Sequence, residues 1–111
     1  MHATPINLEH LAELRATMPL SVGQRIDDYL RTTPTLLASL RLAVAAPSWG
    51  AIAFLTHRIQ GTSAVFGAST LVGLCEAWTQ ATDLASWLAT LEAEYARVAA
   101  ALEQDQQAHG A

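Results

Sequence analysis

Residues 84–102 read LASWLATLEAEYARVAAAL, and their large apolar side chains recur at intervals of three and four positions. Such spacing places these side chains along one face of an α-helix, at the nearly heptad intervals of a helix that packs along its length in a bundle. Thr82 or Asp83 is expected to cap this helix at its N-terminus. The apolar face consists of Leu84, Trp87, Leu88, Leu91, Tyr95, Val98 and Leu102.

Two helices are predicted in the N-terminal half of the chain. Asn7 is a plausible N-cap for a short helix, which Met18-Pro19 interrupts because proline disfavours helical geometry in the residue before it. Ser21 is expected to cap a second helix that contains Pro34. Because the apolar periodicity resumes in register after Pro34, we expect one long helix that bends there.

Two further helices are predicted before residue 84. Ser48 is expected to begin a helix that runs to about Phe66, where Gly67 fits the left-handed position that commonly ends a helix. The next segment begins near Ala68 or Ser69. No stretch shows the sustained period-two alternation of a half-buried strand. The pattern predicts an all-α fold, an up-and-down four-helix bundle with an additional short N-terminal helix.

Length and composition fit a single domain over residues 1–111, with a core at about residues 20–104 and frayed termini. All six basic residues are arginines, the net charge is −4, and no basic stripe forms, so nucleic-acid binding has little support. The apolar run at residues 42–54 is too short and too interrupted to span a bilayer, and no secretory signal is visible. The single cysteine, Cys75, fits a reducing compartment, which predicts a cytoplasmic protein.

A second stretch, HRIQGTSAVFGA at residues 57–68, carries the candidate chemistry. At about 100° per residue, His57 lies roughly 170° from the middle of the apolar stripe of its helix, so its imidazole is expected to point to solvent. Histidine titrates close to physiological pH, so a neutral imidazole nitrogen is available as a nucleophile. The stripe that faces the core is predicted to contain Ile52, Leu55, Ile59, Thr62 and Phe66.

Small residues surround His57 on the predicted helix surface, where long charged side chains are the norm. Gly61 costs its helix about 1 kcal/mol relative to alanine, and close approach by another backbone or by a phosphoryl group is a physical reason for it. The same small face could instead pack against another subunit and bury His57. The residues that share the face are Gly50, Ala53, Gln60, Gly61 and Ala64.

This stretch resembles the motif of the histidine phosphotransfer (HPt) domain family, in which the histidine precedes a hydrophobic residue, a lysine, a glycine, small residues and a Gly-Ala pair. The resemblance covers roughly residues 20–102 and preserves the order of the helices. Downstream, Leu71, Leu74 and Cys75 match the family's Leu-x-x-Leu-Cys run. The matching positions of the motif are His57, Ile59, Gly61, Thr62, Ser63, Phe66, Gly67 and Ala68.

By this resemblance, His57 is the phosphoacceptor, exposed on the second core helix of a four-helix bundle. The family has no kinase or ATPase chemistry of its own and needs no cofactor, so Mg²⁺ is expected only in the partner. Its members shuttle phosphoryl groups between receiver domains of response regulators or hybrid sensor kinases. Some members are free-standing and many are C-terminal modules of hybrid sensor kinases. We expect a monomer that contacts neither nucleic acid nor membrane.

Two positions depart from the family pattern. Gln60 stands where the family usually has lysine, so it can donate a hydrogen bond to a phosphoryl group but brings no charge. Arg58 lies about 100° round the helix from His57, and its long side chain is expected to reach partway toward that group. Thr79 stands near the position of the family's Glu or Gln on the next helix, and its hydroxyl is expected to bond the free imidazole nitrogen.

Phe54 lies one turn before His57 and has two interpretations. It is either an anchor for the receiver domain or a partly buried residue at the rim of the bundle. Together with Ala53, Gly50 and Ala64 it forms the expected docking surface. Three further aromatic residues, expected in the core or at its edge, are Trp49, Trp78 and Trp87.

Two other functions stay open at this point. A degenerate module could use the His57 face only to bind a partner protein, as Gln60 and Thr79 suggest, and an unrelated helical bundle could dimerise and bury His57. An enzyme with its own active site is disfavoured, because the sequence shows no nucleophile–base pair or phosphate-binding loop. No metal site is expected, because the other histidines lack ligand spacing. These are His2, His10 and His109.

Overall fold

The computed structural model describes residues 4–109, which contain α-helices, one short 3₁₀ helix and no strand. In chain order the elements are α1 (Leu8–Thr17), α2 (Val22–Ala45), α3 (Trp49–Ala64), α4 (Ser69–Glu76), the 3₁₀ helix (Ala77–Gln80) and α5 (Leu84–His109). The predicted all-α fold is confirmed, with α1 as the additional N-terminal helix. Helix α3 packs against α2 and α4, and α5 packs against the same two, which closes a four-helix bundle. Among the helices over residues 4–109, none combines the length and the hydrophobicity of a membrane-spanning segment.

The core runs the length of the bundle and draws on every α-helix. The apolar face predicted for α5 is buried except at Leu84, which is partly exposed. Within this apolar face, Trp87 donates a hydrogen bond from Nε1 to the carbonyl of Leu74 at 2.8 Å, which fixes α5 against α4. The residues with almost no exposed surface include Leu11, Ile26, Leu40, Ile52, Ile59, Leu71, Leu91 and Leu102.

Two of the four predicted helix caps form through their side chains. Asn7 Oδ1 accepts from the backbone N–H of His10 at 3.0 Å, and Asp83 Oδ1 accepts from that of Ala85 at 3.0 Å. Ser21 and Ser48 do stand immediately before α2 and α3, but neither hydroxyl caps its helix. For these two serines the predicted N-cap position is correct, but the predicted hydrogen bond from the helix backbone to the serine side chain does not form.

The sequence singled out two backbone positions, Pro34 within α2 and Gly67 after α3. Helix α2 continues through Pro34, so one long helix is confirmed rather than two short ones. Helix α3 ends at Ala64, two residues earlier than predicted, and Gly67 follows with a φ of +64°. A Cβ at Gly67 would collide with Asn7, whose N–H donates to the Phe66 carbonyl at 3.1 Å. Gly67 therefore lets the segment before α1 pack on the end of α3.

Helix α5 continues to His109, past the limit of about residue 104 that was expected for the core, so the tail that was expected to fray is helical here. Two of its polar side chains hold this last part of the helix against the rest of the molecule. Asp105 forms an ion pair with Arg15 of α1, and Gln106 Nε2 donates to Asp27 Oδ1 of α2 at 2.9 Å. At the other end, residues 1–3 and with them His2 lie outside the described residues, as do residues 110–111.

Candidate functional site

Helix α3 presents His57 to solvent, as its position relative to the apolar stripe predicts. Ile52, Leu55 and Ile59 are buried on the opposite side of the helix and fix its rotation against the bundle. Within residues 4–109 the imidazole makes no hydrogen bond and no ion pair. The predicted exposure of the ring is confirmed, and both of its nitrogens are open to an approaching group.

The predicted core stripe needs one correction at its C-terminal end. Thr62 is exposed, and its hydroxyl donates to the Arg58 carbonyl at 3.1 Å within the same helix. The next residue, Ser63, is fully buried instead. Its Oγ lies 2.7 Å from the hydroxyl of Tyr29, so a polar pair between α2 and α3 takes the place where an apolar contact was expected. A threonine adapts to the surface by bonding its own helix, and the buried serine needs a partner from another element.

The small residues around His57 leave a clear surface. Gly50, Ala53, Gly61 and Ala64 are all exposed. A Cβ added at Gly50 or at Gly61 would meet no atom within 4 Å, so packing inside the chain requires neither glycine. The destabilising glycine one turn after His57 therefore has no packing explanation within this bundle.

Gln60, which replaces the family's lysine, is held by a residue that the sequence analysis missed. Its Nε2 donates to Oε1 of Glu76 at 2.5 Å, which links α3 to the last residue of α4. Glu76 directly follows Cys75, the last position of the Leu-x-x-Leu-Cys match, so its place near α3 could have been inferred from that run. The pair fixes the Gln60 amide one turn after His57.

Thr79 does not occupy the role that the resemblance implied. Its hydroxyl donates to the backbone carbonyl of Glu76 at 3.5 Å and not to the imidazole of His57. The cause is the 3₁₀ helix, because its tight turn brings residue 79 over the carbonyl of residue 76. The support of the imidazole by Thr79 is therefore absent from this structure.

Arg58 and Phe54 contact each other on the surface of α3. The guanidinium carbon of Arg58 lies 5.9 Å from the centre of the Phe54 ring, a cation–π contact between residues four apart on one helix. Phe54 is 60% exposed, which excludes the interpretation as a partly buried rim residue. Arg58 is thus directed along the ring instead of toward His57.

The three tryptophans occupy different environments. Trp87 is buried and Trp78 partly buried, as predicted, whereas Trp49 is 59% exposed and was wrongly assigned to the core or its edge. The ring of Trp49 stacks on that of Trp78, with centroids 6.4 Å apart and planes inclined by 15°. This aromatic pair, exposed at Trp49 and partly buried at Trp78, therefore joins the start of α3 to the 3₁₀ helix.

Two other side chains with reactive groups, Cys75 and Tyr29, are buried in the bundle. Burial raises the pKa of the Cys75 thiol to about 12, so the thiol stays protonated and is a packing residue rather than a nucleophile. Desolvation likewise raises the pKa of Tyr29, although its hydrogen bond to Ser63 acts in the opposite direction. Among residues 4–109, no three His, Cys, Asp or Glu side chains are grouped in a way that could hold a metal ion.

An exposed histidine on the second core helix of a closed four-helix bundle, with a clear face around it, is the arrangement expected of an HPt domain. The family model described as "Hpt domain" matches residues 24–108 of this chain. The chain therefore belongs to the Hpt domain family.

The fold is shared with a solved structure of a bacterial phosphotransfer protein. The crystal structure of histidine-containing phosphotransfer protein B (HptB) from Pseudomonas aeruginosa PAO1 superposes with a TM-score of 0.86. The match covers 97% of this chain and 99% of that chain, with 24% sequence identity. A comparison with curated proteins gave no match.

Proposed function

We propose that this protein relays a phosphoryl group between aspartates of receiver domains through His57. The observation that carries the proposal is the solvent-exposed, unpartnered imidazole on the rigid helix α3, in a chain of the Hpt domain family. The open space at Gly61 supports it, because an aspartyl phosphate at the bottom of a partner's pocket must come close to the ring. The protein is then a phosphocarrier without kinase activity of its own.

In the forward step, the lone pair of a neutral imidazole nitrogen attacks the phosphorus of an aspartyl phosphate on the receiver. The P–N bond forms while the P–O bond to the aspartate breaks, and the carboxylate leaves with the electrons of that bond. The other ring nitrogen keeps its proton. The return step reverses these changes at an aspartate of the next receiver. The transition state is loose and in-line, so positioning and clearance are the main contributions of this chain.

The surrounding residues divide into support and docking. Three residues within two turns of α3 support the phosphoryl group. Gln60 contributes a fixed amide, Gly61 contributes free space and Arg58 contributes a guanidinium. Thr79 can form a hydrogen bond with the imidazole of His57 only if its hydroxyl breaks the hydrogen bond to the Glu76 carbonyl. The docking surface is formed by exposed residues of the same face. Its members are Phe54, Ala53, Gly50 and Ala64.

Partner, cofactor and compartment follow from the same proposal. The partners are receiver domains of response regulators or of a hybrid sensor kinase, and Mg²⁺ is needed by the receiver rather than by this chain. The proposal holds for a free-standing carrier and for a module of a hybrid kinase alike. We propose a monomer that works in the cytoplasm, where receiver domains meet it.

The decisive experiment incubates the chain with a phosphorylated receiver and Mg²⁺ and follows transfer of the label. We expect labelling of the wild type and of His10→Gln, which alters a histidine of α1, and none of His57→Gln. Circular dichroism of the wild type and of both variants checks that the helical fold is kept. Full labelling of His57→Gln would end the assignment of the phosphoacceptor.

A second candidate function is binding without phosphotransfer. The observation that favours it is the Gln60–Glu76 bond, which puts a neutral amide and a carboxylate where the family has a lysine. In that case His57→Gln would keep full activity in cells and full affinity for the partner, while Gly61→Arg would abolish both. Loss of cellular activity in His57→Gln with unchanged partner affinity would reject this alternative.

A further inference from the structure

The arginines of this chain differ in what they bind. The chain contains no lysine, so its six arginines are its only permanently cationic side chains. Within residues 4–109, Arg25 and Arg58 form no ion pair. The four arginines that do are paired as Arg15 with Asp105, Arg31 with Asp28, Arg41 with Glu92 and Arg97 with Glu94. Only one of the two unpaired arginines, Arg58, is next in sequence to His57.

Arg58 rests on an uncharged partner. Its guanidinium lies over the Phe54 ring at 5.9 Å, and both side chains are exposed on α3. Phe54 lies three residues before His57 and four before Arg58, so ring, imidazole and guanidinium occupy neighbouring positions on one helical surface. The side chain of arginine is long enough to pass from the ring to a group attached to the adjacent imidazole.

Phosphorylation of His57 would give Arg58 a second possible partner beside the Phe54 ring. A phosphoryl group brings a charge of about −1.5 to −2 and three strong acceptor oxygens. Arginine binds such oxygens through two parallel hydrogen bonds, which is a stronger interaction than a solvent-exposed cation–π contact. The nearby Gln60 amide cannot neutralise that charge, and its Nε2 already donates to Glu76.

We propose that Arg58 exchanges partners with the state of His57, resting on the Phe54 ring when the imidazole is free and binding the phosphoryl oxygens when it is modified. This inference rests on the proposed function, since it takes His57 as the phosphoryl-bearing residue. Its consequence is that the Phe54 ring is uncovered only in the phosphorylated chain. A receiver that accepts the phosphoryl group meets an open aromatic face, and the face is covered again once transfer is complete.

The test uses the full chain and phosphoramidate, a small donor that modifies exposed histidine without any receiver. In the NMR spectrum of the free protein, the ring current of Phe54 is expected to shift the side-chain protons of Arg58, because the guanidinium lies over the ring. We expect this shift to disappear on phosphorylation of His57. An Arg58 spectrum that keeps the shift in the phosphorylated chain would overturn the proposal, as would failure of phosphoramidate to modify His57.

Two substitutions give effects in opposite directions, which a purely structural role would not produce. Arg58→Gln is expected to shorten the lifetime of the phosphohistidine roughly two- to fivefold, the factor that the loss of one solvent-exposed charge pair supplies. Phe54→Leu removes the competing ring and is expected to lengthen that lifetime. Arg31→Gln on α2 is the matched control and leaves the lifetime unchanged. Equal lifetimes in Arg58→Gln and Arg31→Gln would contradict the exchange.

The two proposals fail separately. If receivers never label His57 but phosphoramidate does, and the Arg58 shift then disappears, the relay function is rejected while the exchange of partners stands. If receivers label His57 and the Arg58 shift persists, the relay stands and the exchange is rejected.

Discussion

Gln60 of α3 and Glu76 of α4 are joined by a hydrogen bond of 2.5 Å from the Gln60 amide to the Glu76 carboxylate, one helical turn after His57. The bond places a fixed amide and a negative charge beside the site where the family usually carries a lysine. A phosphoryl group on His57 therefore meets less positive charge than the family pattern provides. The expected result is a phosphohistidine that is easily given up.

The first prediction concerns that missing charge. Gln60→Lys is expected to lengthen the lifetime of the phosphohistidine up to about fivefold, because an exposed charge pair contributes at most about 1 kcal/mol. The lysine can also pair with Glu76, so the link between α3 and α4 is kept. The measurement is the rate of loss of label from the purified phosphorylated chain.

The matched control for this substitution is Gln24→Lys. Gln24 of α2 also donates from Nε2 to a carboxylate, that of Asp28, at 3.0 Å. The Gln24→Lys substitution introduces the same charge on an exposed part of α2 outside the His57 face, so the lifetime of the phosphohistidine should stay at the wild-type value. Equal lengthening in both variants would show that overall charge, and not position 60, controls the lifetime.

The second prediction concerns the clearance at Gly61. Gly61→Ala is expected to raise the free energy of unfolding by about 0.5–1 kcal/mol, because the site is helical and open. Gly61→Arg should keep the fold and reduce transfer from a receiver at least about tenfold, because the long side chain stands where the partner approaches. Denaturant unfolding and the initial rate of labelling measure the two effects.

Gly73 of α4 provides the control for both substitutions, because it is exposed and a Cβ there also meets no atom within 4 Å. Gly73→Ala should stabilise to a similar extent, and Gly73→Arg should leave transfer unchanged. If Gly61→Arg transferred at the wild-type rate, the free space beside His57 would have no role in docking.

The exposed position of His57 and the helices themselves were predictable, because they follow from apolar periodicity along one helix at a time. The error at Thr62 and Ser63 has a different origin. Both residues are small and polar, and only the hydroxyl of Tyr29, 34 positions earlier, decides which of them is buried. A pattern within one helix does not contain that information.

The other corrections also depend on contacts between distant parts of the chain. Trp49 is held at the surface by stacking on Trp78, which belongs to a 3₁₀ turn that helical periodicity did not indicate. The polar end of α5 contacts Arg15 and Asp27, which belong to other helices. The composition of α5 alone contains no sign of these contacts, and for that reason it suggested fraying.

The third prediction concerns the buried hydroxyl pair of Tyr29 and Ser63. Tyr29→Phe removes one partner and leaves the fully buried Ser63 hydroxyl unsatisfied, which should lower the free energy of unfolding by about 1–3 kcal/mol. Ser63→Ala should have an effect of similar size. The double variant should be less destabilised than the sum of the two, because no unsatisfied hydroxyl is left. Strict additivity in denaturant unfolding would show that the two hydroxyls do not interact.

The fourth prediction concerns stability in alkaline solution. Burial raises the pKa of Cys75 from 9.0 to about 12, so the unfolded chain loses this proton at a lower pH than the folded chain. The folded state therefore binds more protons than the unfolded state between these values, and its stability falls as pH rises. The contribution is complete below pH 9.0 and is lost progressively as the pH rises toward about 12. Tyr95, whose pKa burial raises to about 12, acts in the same direction.

The measurement is the free energy of unfolding by denaturant as a function of pH, compared between the wild type and Cys75→Ala. The alanine variant should be less stable at pH 7, because the substitution leaves a small cavity among buried residues. It should nevertheless lose stability less steeply above pH 9, because the contribution of the Cys75 thiol to the slope is then absent. The folded wild type should also resist thiol reagents at pH 8 until denaturant unfolds it. Parallel curves for the two proteins, or rapid modification of the folded chain, would contradict a protonated and protected thiol.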